Sequence, residues 1–287
     1  MLTRNSGDRL KMKVHFENKL MSSLLLFIDN YLLTKGEAFT NYSSFFYPVQ
    51  NLYNNYYTYA APFKQMVNDD GVSSATVMKT VYVDGVEKSV GTNNLHGINH
   101  FQGQVYFTAD QGNSVISGDY AVKDFNIYLS NDPEQKLLFE TKYHTNPKHS
   151  QQLSGLAPDA QPFPAIFIKN MGGKHTPWAI GGTKDTLTTA RLVVLADSNY
   201  KLDAVCGLLK DLHTTHFSIC PDLPFDAMGS YTGINYSYGG LVPSNSEGYP
   251  LIQDVRVSKM SMVGDFTRLN PDVFSAFVDL DISAIRG

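Results

Sequence analysis

The sequence predicts an α+β protein: a mixed or antiparallel sheet flanked by an N-terminal helix and a second helix at about 199–213, with a small antiparallel β module inserted. Three observations carry that expectation. The run "LMSSLLLFIDNYLL" at 20–33 has helical apolar spacing, and short β-rich segments joined by turn residues crowd between 71 and 130. The stretch "TTARLVVLADSNYKLDAVCGLLKDL" at 188–212 passes from an apolar strand straight into an amphipathic helix. The predicted organisation is an arm, core helix and aromatic connection over 1–70, the β module over 71–130, and an α/β core over 131–287 on which the N-terminal helix packs.

Taken in order, the polar opening "MLTRNSGDRLK" predicts a flexible arm, with Met12 as an alternative start. Phe16, Leu20, Leu24, Phe27, Ile28 and Tyr31 then form one helical stripe, which Leu25, Leu26 and Leu32 widen enough to meet more than one partner. Gly36 is the predicted stop. The run contains Asp29 and Asn30 and falls short of the roughly 20 apolar residues of a membrane span, so a core helix is expected, with no membrane or export role.

"NYSSFFYPVQNLYNNYYTYAAPFKQ" at 41–65 shows neither strand nor helix period and predicts an irregular or extended connection. Its tyrosines, Tyr53, Tyr56, Tyr57 and Tyr59, suit either an interface patch or packing on their own domain. Asp84-Gly85 between two β-rich arms predicts a type I′ hairpin, and Gln102-Gly103 a weaker one. Phe125, Ile127 and Leu129 alternate with Asn126, Tyr128 and Ser130, which predicts a strand with one dry and one wet face.

"KLLFETKYH" at 136–144 also alternates and reads as a strand, followed by a loop over 145–164 and the strand "AIFIK" at 165–169. Glycines in "NMGGKHTPWAIGGTKDT" predict a long loop over 170–186, carrying the single tryptophan, Trp178. "RLVVLA" is apolar on both faces, as in a central strand. Leu202, Val205, Cys206, Leu209 and Leu212 form the stripe of the following helix, which Asp197, Ser198 or Asn199 can cap. A second long loop at 221–250 precedes two C-terminal strands, the last alternating Val278, Leu280, Ile282 and Ala284 with Asp279, Asp281 and Ser283.

Composition narrows the function classes. Of 287 residues 43% are hydrophobic and only 17% charged, so neutral Asn, Ser, Thr, Gly and Tyr fill the polar surface, which suits burial against neighbours. A net charge of −4 without a Lys/Arg stripe argues against direct, sequence-specific nucleic-acid binding. The two cysteines, Cys206 and Cys220, form no CxxC pair and read as reduced thiols.

Chemistry-bearing motifs fail on spacing. "GGKHT" at 172–176 would need Gly at Ile168 and Ser or Thr at His175 to be a phosphate loop, and "ADSN" at 196–199 has no glycine for a pyrophosphate. There is no GxSxG and no HExxH. His96 and His100 lie in β-type sequence, about 13 Å apart if extended. His213 and His216 suit the dipole at a helix C-terminus, although Cys220 nearby keeps a zinc alternative open. Asp69-Asp70 and Asp279/Asp281 read as solvent-facing carboxylates. The reading is a protein that is not an enzyme, with no cofactor, no metal and no catalytic residues.

Four stretches carry a family likeness: "ENKLMSSLLLFIDNYLL", "GDYAVKDFNIYLSND", "RLVVLADSNYKLDAVCGLLKDL" and "LNPDVFSAFVDLDIS". In these and in element order the chain resembles the tail-terminator and neck proteins, the head–tail connector region, of tailed bacteriophages, and is similar to virion structural proteins of large marine or cyanobacterial phages. The resemblance implies a homo-oligomer, a hexameric ring that caps the tail and joins it to the neck. Its partners would be neck, tail tube or sheath proteins, and its location the virion after assembly in the host cytoplasm. Loops 170–186 and 221–250 are then the expected contacts, with Trp178, Tyr231 and Tyr236 as anchors. Alternatives are another neck, sheath-initiating or baseplate protein, a carbohydrate- or receptor-binding module, and an enzyme on an α/β framework.

Overall fold

Residues 16–50, 55–130, 132–139, 163–177, 184–220, 224–225, 233–242, 249–260 and 273–286 are described by the computed structural model. The predicted arm, Met12, Tyr53, Trp178 and Tyr231 lie outside them. The architecture is α+β with mostly antiparallel sheets and an N-terminal helix.

Helix α1 (Phe16–Lys35) buries residues nearly all round, including Leu20, Leu24, Leu26, Ile28 and Leu32, because its leucines occupy more than one face. It ends where expected. The Gly36 and Ala38 amides both donate to the Leu32 carbonyl, and a Cβ at Gly36 would stand 2.6 Å from that oxygen. No helix among the described residues is long and apolar enough to cross a membrane.

The first sheet has seven strands: β1 (Phe39–Pro48), β2 (Tyr57–Ala60), β3 (Thr80–Val83), β4 (Val86–Ser89), β5 (Leu95–Asn99), β6 (Gln104–Phe107) and β7 (Ile116–Lys123), ordered β4-β3-β7-β1-β2-β6-β5. Its inner face buries Phe46, Tyr59, Val81, Val105, Phe107, Ile116 and Tyr120 in one apolar cluster. Asp84 (φ 51°) and Gly85 (φ 77°) make the β3–β4 turn with two positive φ angles, as the type I′ expectation requires. The β5–β6 hairpin turns at Gly103 (φ 63°).

Of the irregular or extended connection expected over 41–65, residues 41–48 (β1) and 57–60 (β2) are strands in the middle of this sheet. β1 hides Phe46 on the inner face but exposes Phe45 (57%) and Tyr47 (52%) on the outer one, so aromatic residues on both faces erase the period-2 signal.

The second sheet has six strands: β8 (Asn126–Leu129), β9 (Ala165–Pro177), β10 (Lys184–Ala196), β11 (Thr215–His216), β12 (Leu251–Lys259) and β13 (Phe274–Arg286), ordered β11-β12-β13-β10-β9-β8. Only β8 and β9 run parallel among them. The strand at 126–129 thus leaves the seven-stranded sheet and joins this one. Its expected wet face is covered: Asn126 is buried and Tyr128 stacks on Phe167 at 5.5 Å.

The cover comes from α2 (Glu134–Phe139), which corrects the strand expected at 136–144. Pro133 accepts from the Leu137 amide at the helix start and Leu137 is buried against Phe163, Phe167 and Val193. Residues 140–144 are outside the described ones, as is most of the 145–164 loop.

Most of the loop expected over 170–186 is strand as well. β9 and β10 continue to Pro177 and from Lys184, leaving only 178–183 outside the described residues. The misleading glycines have a strand function. β9 bulges opposite Thr189, Gly172 takes φ 88°, and a Cβ on Gly173 would collide with the Leu187 carbonyl.

β10 is central and apolar on both faces, with Leu192, Val193 and Val194 fully buried. α3 (Asn199–Lys210) follows, capped by Ser198, whose hydroxyl accepts from the Lys201 amide. Leu202, Val205, Cys206, Leu209 and Leu212 meet α1 and the alternating Val278, Leu280 and Ile282 of β13 in the main core. Within the predicted 221–250 loop lies a short helix, α4 (Tyr238–Leu241).

Candidate interaction surfaces and the buried polar seam

Where α1, the 66–72 segment, β7 and the 233–238 segment meet, the interior is polar. Lys123 Nζ on β7 donates to both carboxylate oxygens of Asp29 on α1, at 2.6 and 2.7 Å, and both residues are buried. Tyr236 donates its hydroxyl to Asp29 Oδ2 at 3.2 Å. Asp69, also buried, accepts from Asn30 Nδ2 (2.8 Å) and from the amides of Gly71 (2.9 Å) and Tyr238 (3.0 Å). Each carboxylate thus has several donors, the condition under which a buried charge is tolerated.

This arrangement ties the seven-stranded sheet to α1, whose apolar residues pack on the six-stranded sheet. It corrects the reading of Asp69 as a solvent-facing carboxylate, whereas its neighbour Asp70 pairs with exposed Lys79 at 2.9 Å. Tyr236, expected as an anchor for a partner, is spent internally: its ring is buried and its hydroxyl is bonded to Asp29.

His100 adjoins the seam. Its ring is 2% exposed, with Nε2 2.8 Å from the Met78 carbonyl and Nδ1 3.2 Å from that of Gly233. Burial lowers its pKa, partly opposed by those carbonyls. His96, by contrast, is exposed and stacks face to face on Tyr56 at 4.0 Å. The two histidines therefore serve different surroundings, as their β-type spacing implied.

The outer face of the six-stranded sheet carries an ion-pair ladder. Arg191 grips Asp279 through Nε and Nη2 (2.6 and 2.9 Å), reaches Glu134 on α2 at 3.2 Å, and lies over the Phe277 ring. Those partners hold its pKa above the usual value. Asp281 accepts from Thr189 and pairs with Arg256 at 3.0 Å. Asp279 and Asp281 are thus partnered, not free solvent-facing acids.

The thiols are core residues. Burial pushes Cys206 up to about 11 and also raises Cys220, which disfavours the thiolate that a nucleophile needs. The Cys220 amide donates to Ser23, while His216 contacts the Tyr249 carbonyl and His213 is exposed. Among the described residues no group of three or more His, Cys, Asp or Glu side chains is placed to hold a metal ion.

Of the expected interface residues, Tyr56 and Tyr57 are half-buried on β2 and its approach, Tyr57 against the seven-stranded core. Two surfaces stand out that sequence reasoning did not select. One is the outer face of the seven-stranded sheet, where Tyr82, Ser117 and Phe45 form one cross-strand row beside Tyr47. The signal for it was present in "SSFFYP", whose adjacent aromatics must point to opposite faces if extended. The other is the distal half of β9, exposed at every residue from Asn170 to Pro177. No family model matches the chain, and no curated protein matches it.

Proposed function

We propose that the chain is a structural subunit that acts by contact with neighbouring subunits, as a virion protein of the tail-terminator or neck type in a ring joining tail to neck. The observation that carries this reading is the distal half of β9. Eight consecutive residues, interrupted only by the bulge at Gly172, run as strand while exposed throughout. Ordering backbone costs about 1–2 kcal/mol per residue, and in the isolated chain this segment recovers little burial in return. A neighbour that covers it supplies the missing contact. The low charge of the surface supports the same reading, since neutral polar groups are less costly to desolvate than ions.

The test is to purify the chain and image it by negative-stain microscopy, alone and with candidate tail and neck proteins. A sixfold annulus that joins those partners supports the ring. Particles of another symmetry redirect the reading to a sheath-initiating or baseplate role.

A second reading rests on the Phe45, Tyr47 and Tyr82 face. Exposed Phe45 and Tyr47 with half-buried Tyr82, beside neutral hydroxyls, suit the apolar faces and hydroxyls of a sugar, so a carbohydrate- or receptor-binding module is the alternative. Specific glycan-array binding that Tyr47→Ala abolishes would establish it; an array without signal removes it.

A further inference from the structure

The six-stranded sheet leaves two backbone edges without a strand partner among the described residues. β8 pairs with β9 only as far as Ile168, and β11 pairs with β12 only at Leu251 and Ile252. Backbone direction on these edges follows from the bonds already made. Asn126 and Ser130 donate to the Pro164 and Ile168 carbonyls, so even-numbered residues of β9 face outward up to Asn170. The bulge opposite Thr189 adds one residue and reverses the parity, so Gly173 and His175 present outward amides and carbonyls.

On the other side Thr214 and Phe217 donate to the Ile252 and Pro250 carbonyls. The irregularity at Gln253 again shifts the parity, and Val255, Val257 and Lys259 face outward. The Met260 amide, which donates inward to Ser275, agrees with that assignment.

We infer that β12 of a second copy of this chain pairs in antiparallel sense with the outer edge of β9, so that copies join head to tail through one continuous sheet. This deepens the assembly reading and rests on it for the identity of the partner. Three features choose a second copy. First, polarity fits: neighbours from β9 through β10 and β13 to β12 are all antiparallel, so β9 and β12 run oppositely and the next copy continues the alternation.

Second, the side chains are compatible. With His175 opposite Val257, Lys174 faces Ser258 and Thr176 faces Arg256, and no like charges are opposed. Lys259 at the end of the strand is already neutralised by Asp203 of α3 at 2.5 Å. Lys174, Pro177 and the two bulges, devices that guard an open edge, confine pairing to the short segments beyond the bulges.

Third, the stagger suits closure. His175 is level with Thr186 and hence Ala284, whereas Val257 is level with Val278, an offset of 284 − 278 = 6 positions along β13. At about 3.3 Å per residue that is about 20 Å, over about 19 Å for four strand steps of about 4.8 Å, a tilt of roughly 45°. In this chosen register the tilt is close to the about 35–45° of closed sheets, so head-to-tail repetition is compatible with a ring.

The experiment mixes two full-length variants, Lys174→Cys and Ser258→Cys, under mild oxidation. These positions face each other as a non-hydrogen-bonded pair, where side chains approach closely enough for a disulfide, while Cys206 and Cys220 stay buried. The expected product is the mixed 174–258 disulfide, seen by peptide mass spectrometry and absent from either variant alone. In parallel, His175→Pro removes an outward amide and should weaken self-association at least tenfold by native mass spectrometry, whereas His175→Ala should not. If His175→Pro misfolds by circular dichroism, the cysteine pair decides. An oligomer that forms without the mixed disulfide overturns edge pairing and leaves the assembly reading standing. A wild-type chain that remains monomeric at every concentration overturns both.

Discussion

Lys123 and Asp29 show how one buried ion pair fixes a helix to a sheet. Removing one member of a buried pair strands the other charge, which costs about 3–5 kcal/mol, so Lys123→Met should lower stability by that much in urea titrations. Adding Asp29→Leu should recover part of the loss, because the stranded carboxylate is gone; a double-mutant cycle measures the coupling. A loss below about 1 kcal/mol, the range of exposed pairs, would show the pair to be solvated.

His100 sets a pH dependence. Its folded-state pKa is depressed by burial, with Asp70 favouring and Lys123 opposing the charged ring. Between that depressed value and the ordinary value near 6.5 the unfolded chain binds the proton and the folded chain does not. The stabilising contribution is complete above about pH 6.5 and is lost as pH falls towards the folded pKa. Urea midpoints should therefore drop between pH 7.5 and 5.5, and His100→Gln should flatten that drop. An equal drop in the variant would assign the effect to other groups.

At the scale of elements, two hairpin glycines separate backbone cost from crowding. Gly85 has φ 77° and open space around it, so Gly85→Ala should cost only the left-handed penalty, about 1 kcal/mol. Gly103 combines φ 63° with a Cβ position that collides with the Phe63 carbonyl, so Gly103→Ala should cost about 3 kcal/mol. Thermal unfolding of the two variants checks the ranking; equal shifts would contradict it.

The same scale shows what the sequence made legible. α1 and RLVVLA were readable as apolar runs of helix and strand length, the Asp84-Gly85 turn and the cap of α3 through local rules, and β13 through its alternation. The failures have physical causes too. β1 exposes aromatic residues on its outer face, so its alternation was hidden. α2 is a single short helix whose alternation imitates a strand. β9 carries glycines because its backbone approaches Leu187 closely, not because it is a loop. Tyr236 was selected as a contact for being aromatic, whereas burial and Asp29 claim it, and no local pattern announces a partner 207 positions away.

In the whole molecule, the polar seam and the apolar main core together tie α1 to both sheets. The Asp29–Lys123 pair joins α1 to β7, and the main core joins α1 to β8, β9 and α3. Calorimetry should therefore give one unfolding transition, with the calorimetric and van't Hoff enthalpies equal; two resolved transitions would mean that the sheets fold independently. The exposed arm of β9 and the Phe45–Tyr47 face are the surfaces the molecule presents.

On the proposed assembly role, other subunits complete those surfaces. Native mass spectrometry of the full-length chain across a dilution series is the decisive test. A discrete closed oligomer that dissociates on dilution is expected; a chain that stays monomeric throughout the series rules the role out.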